Sequence, residues 1–349
     1  MKAILVFLFC IFSSLSHAQK VEIGELKTIQ SKLLGEQREY FVSLPENYLN
    51  KNFSNQKYPV IYLLDGEKYF NVTTGITQKL SDGYYPLMPE CIVVGIKNTN
   101  RSRDLTPTKV TTLSYQNGGS QKFESFIINE LIPVINKTYR TIDYKILIGH
   151  SFGGLFAFNT VLKNPSTFNA YIILDPSLWW DNNLLVKKLE TKLAMIDFSG
   201  SSLFFANANS KGNQKNPSKQ HFAHFEAKKK ALKLMELTIP ENLNYHVKYY
   251  KDEDHGSVVL PALIDGLRTI FKGYRINVKE LVKNPSLLKV QYTILSNTIG
   301  FNLKPQGPYI DRVVDLAVKF GEKENAVILN KINQELNPDN TYLKEKLVN

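Results

Sequence analysis

Cysteine is scarce in this chain: 349 residues carry only Cys10 and Cys91. Cys10 lies in the opening stretch "MKAILVFLFCIFSSLSHAQK", which starts with one lysine, runs apolar to Leu15, and ends in Ser16-His17-Ala18. That pattern predicts a secretory leader, residues 1–18, cut after Ala18, and hence a periplasmic or secreted protein. The residues before Cys10 lack the small side chains of a lipid-attachment site. Once the leader is removed, Cys91 has no partner for an internal disulfide, so the exported fold must be held by its core. Within "ECIVVGI", Cys91 reads as a small buried hydrophobe. Long apolar runs are missing as well. The leader is short for a bilayer span and no other stretch is long enough, so stable membrane insertion after cleavage is not expected.

Blocks of like charge are equally rare. The net charge is +11, or +10 without Lys2, yet the lysines are scattered. The one run, "EAKKKALK" (Glu226 to Lys233), alternates with Ala and Leu at helical spacing and reads as a solvated helix face. No nucleic-acid partner is implied. His221 and His224 make a spaced pair, read as exposed, with no carboxylate or third histidine placed to complete a metal site, so no metal is expected there.

What the chain does have is apolar material: 43% hydrophobic against 21% charged residues, enough for a real core and against disorder. Short runs read as strands at "YFVSLP" (40–45), "YPVIYLLDG" (58–66), "CIVVGI" (91–96), "KILIGHS" (145–151), "AYIILDP" (170–176), "SLFFANA" (202–208) and "YHVKYY" (245–250). The middle ones are apolar throughout rather than alternating, as in a parallel sheet covered on both faces. Helical stretches fall between them. One places Phe123, Phe126, Ile127, Leu131 and Ile135 on one face; another, "GGLFAFNTVLKNP", stops at Asn164-Pro165; a third, "SVVLPALIDGLRTIFKGY", ends near Tyr274. The expectation is an α/β layered domain over 19–276 followed by a small helical extension, 277–349. No clear repeat is present.

Gly149-His150-Ser151-Phe152-Gly153 fits G-x-S-x-G between a predicted strand and a predicted helix. A nucleophile elbow needs that context, because the turn is sharp and its neighbours must be small. Ser151 would then stand at the sheet edge, with the following helix N-terminus offering amides to an oxyanion. A plain turn with serine as helix cap is the alternative. A serine hydroxyl needs a base. His255, on the loop "DEDHGS" after the last strand, occupies the expected place, while His246 lies inside a strand and reads as structural. The acid is open: "FFANANSKGNQKNPSK" offers none, leaving Asp175 at the end of "YIILD", Glu226, or a Ser-His pair without an acid. Asp252 and Asp254 adjoin His255 and point away on backbone grounds. For the oxyanion, the amides near Gly66, at the turn Asp65-Gly66, and of Phe152 are candidates; Asp-Gly is also a common simple turn.

Several stretches together resemble the α/β-hydrolases of the esterase D and enterochelin-esterase type, from about Ser31 to Tyr274. They are "LGEQREYFVSLPENY", "YPVIYLLDGEKYF", "IVVGIKNTNRSRDLTPT", "IGHSFGGLFA", "DPSLWWDN" and "DEDHGSVVLPALIDGLR". The resemblance implies a mostly parallel sheet flanked by helices and cleavage of carboxylic esters without metal or cofactor. It implies Ser151 as nucleophile, His255 as base, and the amides near Gly66 and Phe152 as oxyanion hole. It also brings "NRSRDLTP" to the pocket, with Arg101 or Arg103 near an anionic or catecholate-like group. Trp179 and Trp180 would stack on an aromatic part of the substrate; their alternative is core packing, and that of the arginines a salt bridge to Asp104. The implied substrates are a siderophore ester or a glycan-linked feruloyl or acetyl ester. Many relatives carry an acid near Asn207 to Ser210, where this chain has none. Acyl transfer on the same fold, or a non-catalytic binding protein using the old pocket, are the rival readings.

Overall fold

The computed structural model describes residues 21–209, 218–238 and 243–342. Eight strands form one sheet: β1 (Glu25–Ser31), β2 (Glu36–Ser43), β3 (Tyr58–Leu63), β4 (Ile92–Ile96), β5 (Thr141–His150), β6 (Ala170–Leu174), β7 (Ser202–Ala208) and β8 (Asn244–Tyr250). Their order is β1-β2-β4-β3-β5-β6-β7-β8. β2 runs antiparallel to both β1 and β4, and every other pairing is parallel. In register, Leu63 lies beside Ile148 and His150 beside Leu174, so the central strands end together at one edge.

The apolar runs explain the layering. Along β3, Ile61 and Leu63 belong to one buried cluster, and Val60 and Tyr62 to the other. A strand buried on both faces needs no polar alternation. One face carries the helices Gly66–Ser81 and Val259–Ile270; the other carries Ser120–Phe126, Phe152–Lys163, Trp180–Lys192 and Lys219–Thr238. Phe123, Phe126, Ile127, Leu131 and Ile135 are all buried, as their spacing predicts, although the helix passes through a π-helical turn at Ile127–Leu131.

Strand β1 escapes the sequence reading. It pairs only with β2 at the sheet edge, and most of its side chains are exposed, so its composition carries no apolar signal. The C-terminal helices are Val278–Lys283, Ser286–Ile299, Gly307–Lys319 and Lys323–Leu336. Their buried residues, Leu281, Tyr292, Val313 and Leu329 among them, join the cluster that includes Ile61 and Val93 of the sheet. Gln306 exchanges two hydrogen bonds with the Glu90 backbone, and the Gly307 amide donates to Gln56. Cys91 is buried, its thiol donating to the Pro89 carbonyl, and burial pushes that thiol up. The predicted leader lies outside the described residues.

Candidate active site

Every strand from β3 to β8 delivers its next residues to the same edge, the carboxyl edge where open α/β sheets collect their ligands. Ser151 follows β5 with φ 61° and ψ −114°, a conformation that serine rarely adopts. Neighbouring glycines make the turn possible. A Cβ on Gly149 would lie 2.2 Å from the Gly153 carbonyl oxygen, so strand and helix meet closer there than any side chain permits. Ser151 itself anchors the turn to β6, its amide donating to the Leu174 carbonyl at 3.1 Å.

From Ser151 a chain of hydrogen bonds runs inward. Its Oγ is 3.0 Å from His255 Nε2 and 3.2 Å from Ser177 Oγ. His255 Nδ1 is 2.6 Å from Asp175 Oδ2. Asp175 follows β6 in a left-handed conformation, φ 41°, and is fully buried. Burial opposes its charge, but hydrogen bonds from His224 and His255 and the charge of Lys228 hold the carboxyl well below its ordinary range. An ionised carboxylate only accepts, so His255 carries its proton on Nδ1 and leaves Nε2 free to accept from the serine hydroxyl. Of the two acids left open in the sequence, Asp175 is the one placed on the imidazole. Asp254 instead closes its own turn, accepting the amides of Gly256 and Ser257. Glu226 lies in the helix Lys219–Thr238.

Two further residues reach Asp175 that sequence reasoning missed. His224 Nε2 donates to Asp175 Oδ2 at 2.9 Å, and the Lys228 ammonium donates to Oδ1 and, at 3.1 Å, to the Ala208 carbonyl. Both were expected at the surface, His224 in a polar stretch and Lys228 in the solvated run; both are buried. The reason is tertiary. One turn apart on a helix that covers the sheet, they meet a charge that the sequence keeps 49 and 53 positions away. The i, i+4 spacing of a histidine and a lysine was the available signal, though by itself it reads as surface. Asp175, His224 and His255 bring three ligand-type atoms within 4.8 Å, correcting the expectation that the His221/His224 region lacks a third group. The cluster is a hydrogen-bonded one: two imidazoles point N–H groups at one oxygen while a buried ammonium occupies the other.

His150 holds His255 from the other side. Its Nε2 lies 2.7 Å from the His255 carbonyl, which can only accept, so Nε2 bears the proton and Nδ1 accepts from Tyr69 OH at 3.0 Å. Burial, with the charge of His255 adding to it, pushes the His150 imidazole down to about 4, consistent with this neutral tautomer.

The residues expected at the pocket divide. Gly66 opens the helix Gly66–Ser81 immediately after Asp65, whose φ of 55° bends the chain off β3; a Cβ on Gly66 would sit 2.4 Å from the Gly95 backbone. This turn abuts the elbow, since a Cβ on Gly153 would touch Asp65 and Leu64. Phe152 begins its helix, where first-turn amides lack helical acceptors. Arg101 grips Asp65 through Nε at 2.6 Å and Nη2 at 2.8 Å, reaches the His150 carbonyl at 3.3 Å, and lies 5.4 Å from the Phe152 ring. Arg103 takes the salt-bridge alternative: its guanidinium is spent on Glu36 and Asp104, next to the buried Arg38–Asp104 pair. Trp180 takes the core-packing alternative. It is 1% exposed, edge-on to Phe152, and its indole donates to Thr108, so it packs in the core. Trp179 is half-buried beside Phe152.

A mostly parallel sheet flanked by helices, with a strained serine turn at its carboxyl edge, makes this an α/β-hydrolase. The chain belongs to the esterase family, whose profile, described as "Putative esterase", matches residues 31–230. It is 33% identical to the IroE-like serine hydrolase of Shewanella oneidensis, with a TM-score of 0.80 over 89% of this chain and 99% of that one. It is 26% identical to the siderophore enterobactin esterase of Emericella nidulans, over 59% of this chain and 80% of the relative. The siderophore triacetylfusarinine C esterase of Aspergillus fumigatus is likewise 26% identical, over 67% and 88%. By class the protein is a carboxylic ester hydrolase.

Proposed function

We propose that the protein is an exported serine esterase that cleaves siderophore-type esters through Ser151, His255 and Asp175. The observation that carries this reading is the unbroken chain Ser151 Oγ–His255 Nε2 at 3.0 Å and His255 Nδ1–Asp175 Oδ2 at 2.6 Å. His255 takes the hydroxyl proton as Ser151 Oγ attacks the ester carbonyl. The tetrahedral oxyanion rests on amides near Gly66 and Phe152. His255 then gives its proton to the leaving alkoxide, releasing the alcohol and leaving an acyl-serine. Water, deprotonated by the same imidazole, attacks that acyl group, and the acid leaves as Ser151 recovers its proton. Asp175 holds the productive tautomer and stabilises the imidazolium. The named activities of the fungal relatives support the siderophore class, and the leader-like first eighteen residues support export.

Labelling by a fluorophosphonate probe tests the chemistry: the wild type is expected to label and Ser151→Ala is not. An unlabelled wild type, or equal labelling of both, refutes it. Hydrolysis of a catecholate trilactone, compared with feruloyl and acetyl esters, tests the substrate class; no turnover of the trilactone sinks that part. Mass spectrometry of the exported protein is expected to find Gln19 at its N-terminus.

A further inference from the structure

The carboxylate behind the histidine is held by more than the proposed reaction requires. Asp175 is fully buried and takes four donors: His255 and His224 on Oδ2, Lys228 and the Ala208 amide on Oδ1. They come from three parts of the fold. His255 arrives from the loop after β8, Ala208 from the end of β7, and His224 and Lys228 from one turn of the helix Lys219–Thr238. Toward the elbow stands His150, kept neutral by burial and held by Tyr69 and the His255 carbonyl. Asp254, on the histidine's own loop, is turned into that loop.

A carboxylate with no water around it tends to pick up a proton, because burial disfavours its charge. A protonated Asp175 would lose its full charge and offer a poor counterpart to an imidazolium. Water supplies compensating hydrogen bonds to exposed carboxylates; here protein groups must. Resting on the proposed Ser151–His255–Asp175 assignment, we infer that His224 and Lys228 are positioning residues, which keep Asp175 ionised and aimed at His255 where solvent cannot.

The geometry divides the work between them. Lys228 brings the charge. Its ammonium, buried between Asp175 and the Ala208 carbonyl, offsets the carboxylate without touching the oxygen that His255 uses. His224 brings direction. It shares Oδ2 with His255, and its ring centre lies 4.9 Å from that of His255 at an interplanar angle of 83°, so the edge of one imidazole faces the other. The shared oxygen is thereby fixed from both sides, and the carboxylate cannot rotate without breaking a bond to a buried group.

The test compares His224→Leu, His224→Gln, Lys228→Met and Lys228→Gln by kcat, KM and the pH profile of aryl-ester hydrolysis, with folding followed by circular dichroism. His224→Leu is expected to lower kcat about tenfold with KM little changed. His224→Gln, which keeps an N–H donor, is expected to restore most of it. In Lys228→Met, Asp175 protonates more easily, so the acid limb of kcat/KM moves to higher pH by about one unit. Lys228→Gln keeps a donor but drops the charge, and carries the same limb shift should the Met variant fail to fold. A residue that only supports the fold would lower the melting temperature and leave kcat and the limb in place. That result in folded His224→Leu together with a folded Lys228 variant overturns the inference. If the wild type fails to label with fluorophosphonate, it is the serine-esterase assignment that fails instead.

Discussion

Replacing Asp175 by Asn changes one atom and should cost the protein both rate and stability. The carboxylate accepts on both oxygens, from two imidazoles on one side and an ammonium plus an amide on the other. An amide turned either way points its NH2 at groups that themselves donate. If the NH2 faces His255, the imidazole must present Nδ1 unprotonated, and Nε2–H then meets the serine hydroxyl in the wrong tautomer. From that loss kcat is expected to fall by roughly 10³ to 10⁴, with KM changing much less. In either orientation the fully buried Lys228 ammonium loses its counter-charge. Breaking a buried ion pair on one side destabilises by about 3–5 kcal/mol. An unfolding entropy near 0.7 kcal/mol/K for a chain of this size turns that into a drop of about 4–7 °C in melting temperature. Aryl-ester turnover at pH 7–8 and scanning calorimetry read the two effects separately. A folded Asp175→Asn that keeps kcat within about threefold of the wild type would refute Asp175 as the acid and leave a Ser-His pair.

Two other perturbations probe the frame around the site. Gly149→Ala places a Cβ 2.2 Å from the Gly153 carbonyl oxygen, a backbone clash that no rotamer relieves. Activity should fall by more than about tenfold and stability by about 2 kcal/mol or more, and a variant with wild-type turnover and melting temperature would show the elbow to be looser than described. Asp311, buried under the amides of Asn333 and Asn340, has its carboxyl pushed by burial up to about 6 from an ordinary 3.8. Between those values the folded chain binds more protons than the unfolded one. The contribution is therefore fully present below about pH 4 and lost as pH rises through about 6. The melting temperature of the wild type relative to Asp311→Asn should accordingly fall between pH 4.5 and 7.5, and a constant difference would contradict the sign.

How much of this could be read from the chain depends on where each signal resides. β3 to β7 announce themselves because a strand covered on both faces must be apolar along its whole length. Ser151 is legible because its turn demands glycines at fixed offsets, and His255 because it follows the last strand. Asp175 could only be one candidate among three, since the feature that selects it is a register: His150 lies beside Leu174, which sets the next residue of each strand at the same edge. His224 and Lys228 were misread for the opposite reason. A charged side chain on a helix normally marks the wet face, and the counter-charge that overrides this rule comes from a different strand. Trp180 and Arg103 show the same limit, as an aromatic and a cation near a pocket are equally suited to filling the core and pairing with Thr108, Glu36 or Asp104.

The ties between Gln306, Gly307 and the loops at Glu90 and Gln56 span 216 and 251 positions. Contacts so distant in the chain close late, because the intervening loop must be gathered before the bond rewards it. A chain that has formed all eight strands but not yet docked the helices from Val278 onward still leaves the approaches to β3 and β4 without these partners. Completion of the layer on that side is thus coupled to arrival of the last helices. Until those helices dock, the apolar flank that Ile61 and Val93 share with Leu281, Val313 and Leu329 stays uncovered, so their docking is the latch that closes this side of the sheet.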